Sequence, residues 1–187
     1  MSRATFQFVA AVAIVMIVST ACSGSSGGGS TQTTQPAASS TGSAAQAPAT
    51  KLRVDLIHDA IAALEAELGS PQQYFEINAT SQLVNLIVAL NGGTVARPWV
   101  YLDGELSSSP GSAANGNTFA ASALDLDPDK VLSKLQAELP QSRPDLFFVE
   151  GGPGGTVRYS VAVTSSQGGQ LLVVVGPDGT VRSVDPT

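Results

Sequence analysis

The sequence predicts an α+β fold of two tandem α-β-β-β units, each with its helix packed on antiparallel sheet, preceded by a signal peptide and a disordered tether. Three observations carry that expectation. Apolar residues recur at helical spacing in two separate places. Short β-branched and aromatic runs, punctuated by Gly, Asn and Asp, follow each of them. The two stretches also align on one another with their order kept.

Of the 187 residues, the first fifty hold almost nothing that can build a core, which leaves residues 51–187 as the foldable part. Nine Lys and Arg stand against fifteen Asp and Glu, a net charge of −6, so no basic patch for nucleic acid can be assembled. One His and one Cys exclude a histidine or thiolate metal site and a disulfide framework, and no cofactor is expected.

Arg3 supplies a positive start, residues 6–18 are an apolar run broken only by Gln7, and Ser19-Thr20-Ala21 ends in small residues directly before Cys22. That is an export signal. Its apolar run of about thirteen residues falls short of the roughly 20 that span a bilayer as a permanent helix. Small residues followed at once by the only Cys resemble the lipobox of bacterial lipoproteins, although Ser19 stands where that family prefers a large aliphatic residue. The resemblance implies cleavage between Ala21 and Cys22, a diacylglyceryl group on the Cys22 thiol, and a protein held on the extracytoplasmic side of the cell membrane. Residues 22–50, all Ser, Gly, Thr, Gln, Ala and Pro beyond the Cys, lack the apolar side chains to offset ordering entropy and are read as a flexible tether. Flexible-linker scaling gives it an end-to-end reach of roughly 30 Å.

The first helix is drawn by Val54, Ile57, Ile61, Leu64 and Leu68, with Asp55, Asp59, Glu65 and Glu67 off the stripe, and Gly69 and Pro71 end it. Residues 74–79, 83–90 and 97–102 read as three antiparallel strands, with Asn91-Gly92-Gly93 and Asp103-Gly104 as turns. This first unit covers residues 51–106, and residues 107–124 form a low-complexity connection rich in Ser and Gly. The second unit covers residues 125–187. It opens on Asp127-Pro128 as cap and first helical position, continues through Val131, Leu132, Leu135 and Leu139, and closes at Pro140. Residues 147–149, 157–163, 171–175 and 181–184 complete it as strands. The Leu64-x-Ala-Glu-Leu68 run stands over Leu135-x-Ala-Glu-Leu139 at an offset of 71, Tyr74-Phe75 over Phe147-Phe148 at 73, and Asp103-Gly104 over Asp178-Gly179 at 75.

A helix followed by a meander ending in Leu171-Leu172-Val173-Val174-Val175-Gly176-Pro177-Asp178-Gly179-Thr180-Val181 resembles the PepSY-like and tandem β-lactamase-inhibitor-like modules of exported bacterial proteins. The signal, Cys22 and tether likewise resemble lipoproteins of high-GC Gram-positive bacteria, mycobacterial relatives included. These resemblances imply a protein that binds or inhibits other proteins and has no catalytic residues. The secreted inhibitors are disulfide-bonded, which a chain with one Cys cannot be within itself.

Few residues compete for chemistry. His58 sits beside Asp59 and one turn from Asp55, an arrangement a general base would use, but a lone His on a solvated helix face accounts for it equally. Asp125, Asp127 and Asp129 alternate like calcium-loop ligands, yet Lys130 holds the place that needs Gly, and a helix cap with first-turn acids explains them. Residues 151–155, Gly-Gly-Pro-Gly-Gly, have no lysine behind them and read as a hairpin loop. Trp99 and Tyr101 alternate on one strand, either buried against the first helix or exposed as an aromatic patch for a partner. The expectation is a lipid-anchored, non-catalytic binding or accessory protein, joined to the membrane through Cys22 and to an envelope protein or peptide through Trp99 and Tyr101. The alternatives are a carrier of an apolar ligand between the two units and an envelope hydrolase using His58.

Overall fold

The computed structural model describes residues 51–186; Cys22 and the expected signal and tether lie outside them. Leu52 is buried, and a 3-10 turn, Arg53–Leu56, leads into helix α1, Ile57–Leu68. Val54, Ile57, Ile61 and Leu64 are buried as the stripe requires, while Leu68 at the last helical position is 37 % exposed. Gly69 ends α1 in the left-handed region at φ 71°, its N–H bonded to Ala66 O and that of Ser70 to Glu65 O. No helix among the described residues is long and apolar enough to cross a membrane.

Strands β1 (Gln73–Ala79), β2 (Val84–Leu90), β3 (Val95–Leu102) and β4 (Glu105–Ser108) follow as an antiparallel meander. Asp103 and Gly104, at φ 52° and 87°, close the β3–β4 hairpin in two residues, a geometry that requires positive φ at both positions. Two short strands, β5 (Ser112–Ala113) and β6 (Phe119–Ala120), come next. Helix α2 (Pro128–Glu138) is capped by the Asp127 side chain, which accepts from Lys130 N at 3.2 Å. Strands β7 (Ser142–Gly151), β8 (Val157–Ser165), β9 (Gln170–Val175) and β10 (Val181–Pro186) form a second meander.

All ten strands belong to one sheet, in the order β10-β9-β8-β7-β1-β2-β3-β4, with β5 on β3 and β6 on β1. The expected fold class is thereby corrected. The described residues form a predominantly antiparallel β structure on a single sheet, not two tandem α-β-β-β units each with its own. The pairing that overturns it is β1 with β7, which runs from Glu76↔Glu150 to Ala79↔Phe147. The physical reason is edge protection: two separate meanders would each leave unpaired N–H and C=O groups where β1 and β7 now satisfy one another.

The connection is corrected as well. Residues 107–124 contribute to β4 and supply β5 and β6, and Phe119 is fully buried beside Tyr74, with ring centres 5.8 Å apart. The side chain of Glu65, off the apolar stripe, turns back onto the sheet: its carboxylate accepts from Tyr74 OH at 3.1 Å and Gln72 N at 3.0 Å. Burial above all, then the Glu65 charge and hydrogen bond, pushes the Tyr74 hydroxyl far up from its ordinary value.

Both helices cover the same face. Directly opposed residues in an antiparallel pair share a face, and Ile77, Leu86, Val149, Val161 and Val173, all fully buried, lie on the one face under the helices. The alternate residues line the opposite face, which no helix among the described residues covers.

Candidate functional site

Trp99 and Tyr101 oppose Leu86 and Val84 across the β2–β3 pair, so both point to the helix-covered face. Trp99 is 8 % exposed and part of the core, and Tyr101 is half-buried against it. The Arg97 guanidinium lies over the Trp99 ring, 5.2 Å from its centre. His58 stands exposed on the first turn of α1, with no hydrogen bond to Asp55, Asp59 or a hydroxyl among the described residues. Asp125 and Asp127 serve the approach to α2: the Asp125 N–H donates to Tyr159 OH at 3.0 Å, and Asp127 caps the helix and pairs with Lys130 at 2.6 Å. Gly151 ends β7 where the Asn117 backbone lies on it, so close that a Cβ there would collide with Asn117 O.

The uncovered face carries a polar network at its centre. Glu76 on β1 stands directly opposite Glu150 on β7. Asn85 Nδ2 donates to Asn78 Oδ1 at 2.7 Å, and Asn78 Nδ2 donates to Glu76 Oε1 at 2.7 Å, which makes a chain across β2 and β1. On the other side Arg158 donates to Glu150 Oε2 from Nη2 at 2.8 Å and from Nε at 3.2 Å, and the buried Ser160 hydroxyl lies 3.4 Å from the same oxygen. Glu76 has no cation partner among the described residues. Half-buried Ile87, Pro98, Val100, Phe148, Leu172 and Val174 surround the network on the same face. None of these polar residues was picked out from the sequence as part of a binding surface. The signal was present, however: Glu76 and Asn78 alternate inside an otherwise apolar strand, and Glu150 and Arg158 flank the glycine-rich hairpin at paired positions.

Burial pushes the Glu76 carboxyl up, the Asn78 hydrogen bond draws it back, and the Glu150 charge raises it again. A carboxyl whose folded pKa lies above its unfolded one favours the protonated native state, so stability falls as pH rises from the unfolded value through the folded one. Glu76→Gln is therefore expected to stabilise the protein at pH 7 by about 0.2–1 kcal/mol, the range for like charges facing each other across strands. That gain should fade below about pH 4, where the wild-type carboxyl is protonated in both states. Thermal unfolding of both proteins at pH 7 and pH 3.5 checks this, and a variant less stable than wild type at pH 7 would count against it.

A shallow cavity of about 260 Å³ lies elsewhere, lined by Lys130, Ser133, Lys134 and Asp178. Its charges are already matched, since Lys134 Nζ holds Asp178 at 2.9 Å and Lys130 holds Asp127. The Lys134 ammonium first, then the Thr180 hydroxyl and amide, keeps the Asp178 carboxyl well below the usual carboxylate range. This is a surface ion-pair cluster rather than an apolar ligand chamber. Among these features the central network on the uncovered face has the strongest claim as a binding surface. No family model, no curated protein and no solved structure matches the chain.

Proposed function

We propose that the chain is a non-catalytic binding module of the bacterial cell envelope, anchored on the extracytoplasmic side by lipid on Cys22 and presenting the open face of its sheet to another protein. The observation that supports this reading is the make-up of that face: half-buried apolar side chains ring a hydrogen-bonded polar centre. Interface cores have this pattern, with desolvated polar anchors among apolar neighbours that exclude water. Charge specifies the partner's chemistry. Glu76 and Glu150 face each other, and among the described residues only Glu150 has a guanidinium partner, that of Arg158. A partner presenting Lys or Arg between apolar side chains supplies the missing cation and relieves the repulsion. On this reading Glu76 is kept at some cost to stability because binding uses it.

A photo-crosslinking residue at Ile87, on the open face, tests this in intact cells against the same residue at exposed Ala137 on α2. A discrete protein adduct is expected from position 87, weakened by Glu76→Lys, with none from position 137. Identical products from both positions would refute the assignment. Cys22→Ala tests the anchor separately. It is expected to move the protein from the membrane fraction to the medium or to leave an unprocessed precursor, and unchanged retention and mass would remove the lipid anchor from the proposal.

A further inference from the structure

On the helix-covered side, where β3 meets β4, two donors are buried without acceptors. Among the described residues Trp99 Nε1 and Arg97 Nε have no hydrogen-bond partner, and neither is in contact with solvent. Indole and guanidinium nitrogens in proteins donate only, so neither group is satisfied by turning around. Arg97 is half-buried and makes no ion pair among the described residues; its one hydrogen bond runs from Nη2 to Ser108 Oγ at 3.0 Å. Buried donors without acceptors are uncommon and destabilising, more so when charged. Three features therefore converge on one corner: an uncompensated guanidinium, its orphan Nε–H, and the orphan N–H of a Trp that is 8 % exposed. Each is answered by an anionic oxygen.

We propose that this corner binds a carboxylate carried on an apolar group, with Arg97 and Trp99 as donors. A planar carboxylate suits a guanidinium and a neighbouring N–H, and it loses less hydration on burial than a phosphate dianion. The apolar part follows from the surroundings. Leu106 opposes Tyr101 on the same face as Trp99, and Leu90, Tyr101 and Leu106 are all partly buried against the core. Because the Arg97 side chain lies over the ring, the carboxylate enters as the guanidinium swings outward on its flexible stem and re-forms its hydrogen bonds to the incoming oxygens. The site lies on the face opposite the Glu76–Glu150 network and is independent of the partner proposed for it.

Trp99 is the only Trp in the chain, so its emission reports on this corner alone. The full chain is titrated with hexanoate and, in parallel, with hexanamide, which keeps the apolar body and removes the charge. A saturable emission change is expected with hexanoate, and affinity for the amide should be at least about tenfold weaker, as the loss of one charge-assisted hydrogen bond implies. Arg97→Gln should weaken hexanoate binding by a similar factor. Trp99→Phe, which keeps a ring and deletes the N–H, should weaken it too, as followed by NMR shifts of the Ser107 and Ser108 amides. A parallel pair, N-acetyl-Val-Leu with a free C-terminus and its amide, distinguishes a fatty carboxylate from a peptide end: the tighter acid names the source. Equal responses to acid and amide in the wild-type chain would overturn the proposal even if a variant fails to fold, and so would unchanged hexanoate affinity in a folded Arg97→Gln protein.

Discussion

Phe119→Ala is expected to lower the unfolding free energy by about 3–5 kcal/mol, the usual cost of truncating a fully buried aromatic ring. Phe119 is fully buried and pairs with Tyr74 across the short β1–β6 ladder, the two rings tilted by 36°. Its removal takes apolar surface out of the core and leaves a cavity beside a Tyr whose hydroxyl is already committed to Glu65. For a domain of this size the loss corresponds to a fall in Tm of roughly 10 to 20 °C. Gly151→Ala should act in the same direction by another route, since its Cβ would collide with the Asn117 backbone and lift the segment that carries Phe119 off the sheet. Calorimetry or urea unfolding of both variants decides the matter. If Phe119→Ala costs less than about 1 kcal/mol, as a surface change would, residues 107–124 are a passive connection after all.

Leu64→Ala and Leu135→Ala should each cost about 2–5 kcal/mol through lost transfer free energy and the cavity left behind. Both side chains are fully buried, one on each helix. Their immediate neighbours separate helix position from tertiary role. Gln136 is exposed, with a single long contact of 3.4 Å to Pro140 O, and Gln136→Ala should change stability by less than about 0.5 kcal/mol. Glu65→Ala strips the acceptor from the Tyr74 hydroxyl and the Gln72 N–H and should cost about 1–3 kcal/mol. Near-neutral behaviour of both Leu variants would mean that the helices do not close this face of the sheet.

The amino-acid sequence by itself determined what depends on neighbours a few residues apart. The helical stripe through Val54, Ile57, Ile61 and Leu64, the left-handed stop at Gly69, the Asp127 cap and the two-residue turn at Asp103-Gly104 all follow from backbone sterics and side-chain spacing. The tertiary structure alone decided what depends on pairing between distant strands. Nothing local in residues 76–79 or 147–150 specifies that β1 and β7 join, since any alternating strand offers the same backbone groups; the union follows from leaving neither edge bare. That union turns two meanders into one sheet, and it brings Glu76 and Glu150 face to face. Phe119 was hidden for a related reason: a single aromatic in a Ser- and Gly-rich stretch has no periodicity, and its burial follows from the place beside Tyr74 that β6 takes along β1. The sequence placed Trp99 on a strand, but only packing could leave its indole N–H and the Arg97 Nε–H buried without an acceptor, because satisfaction of a donor is a property of what surrounds it in space.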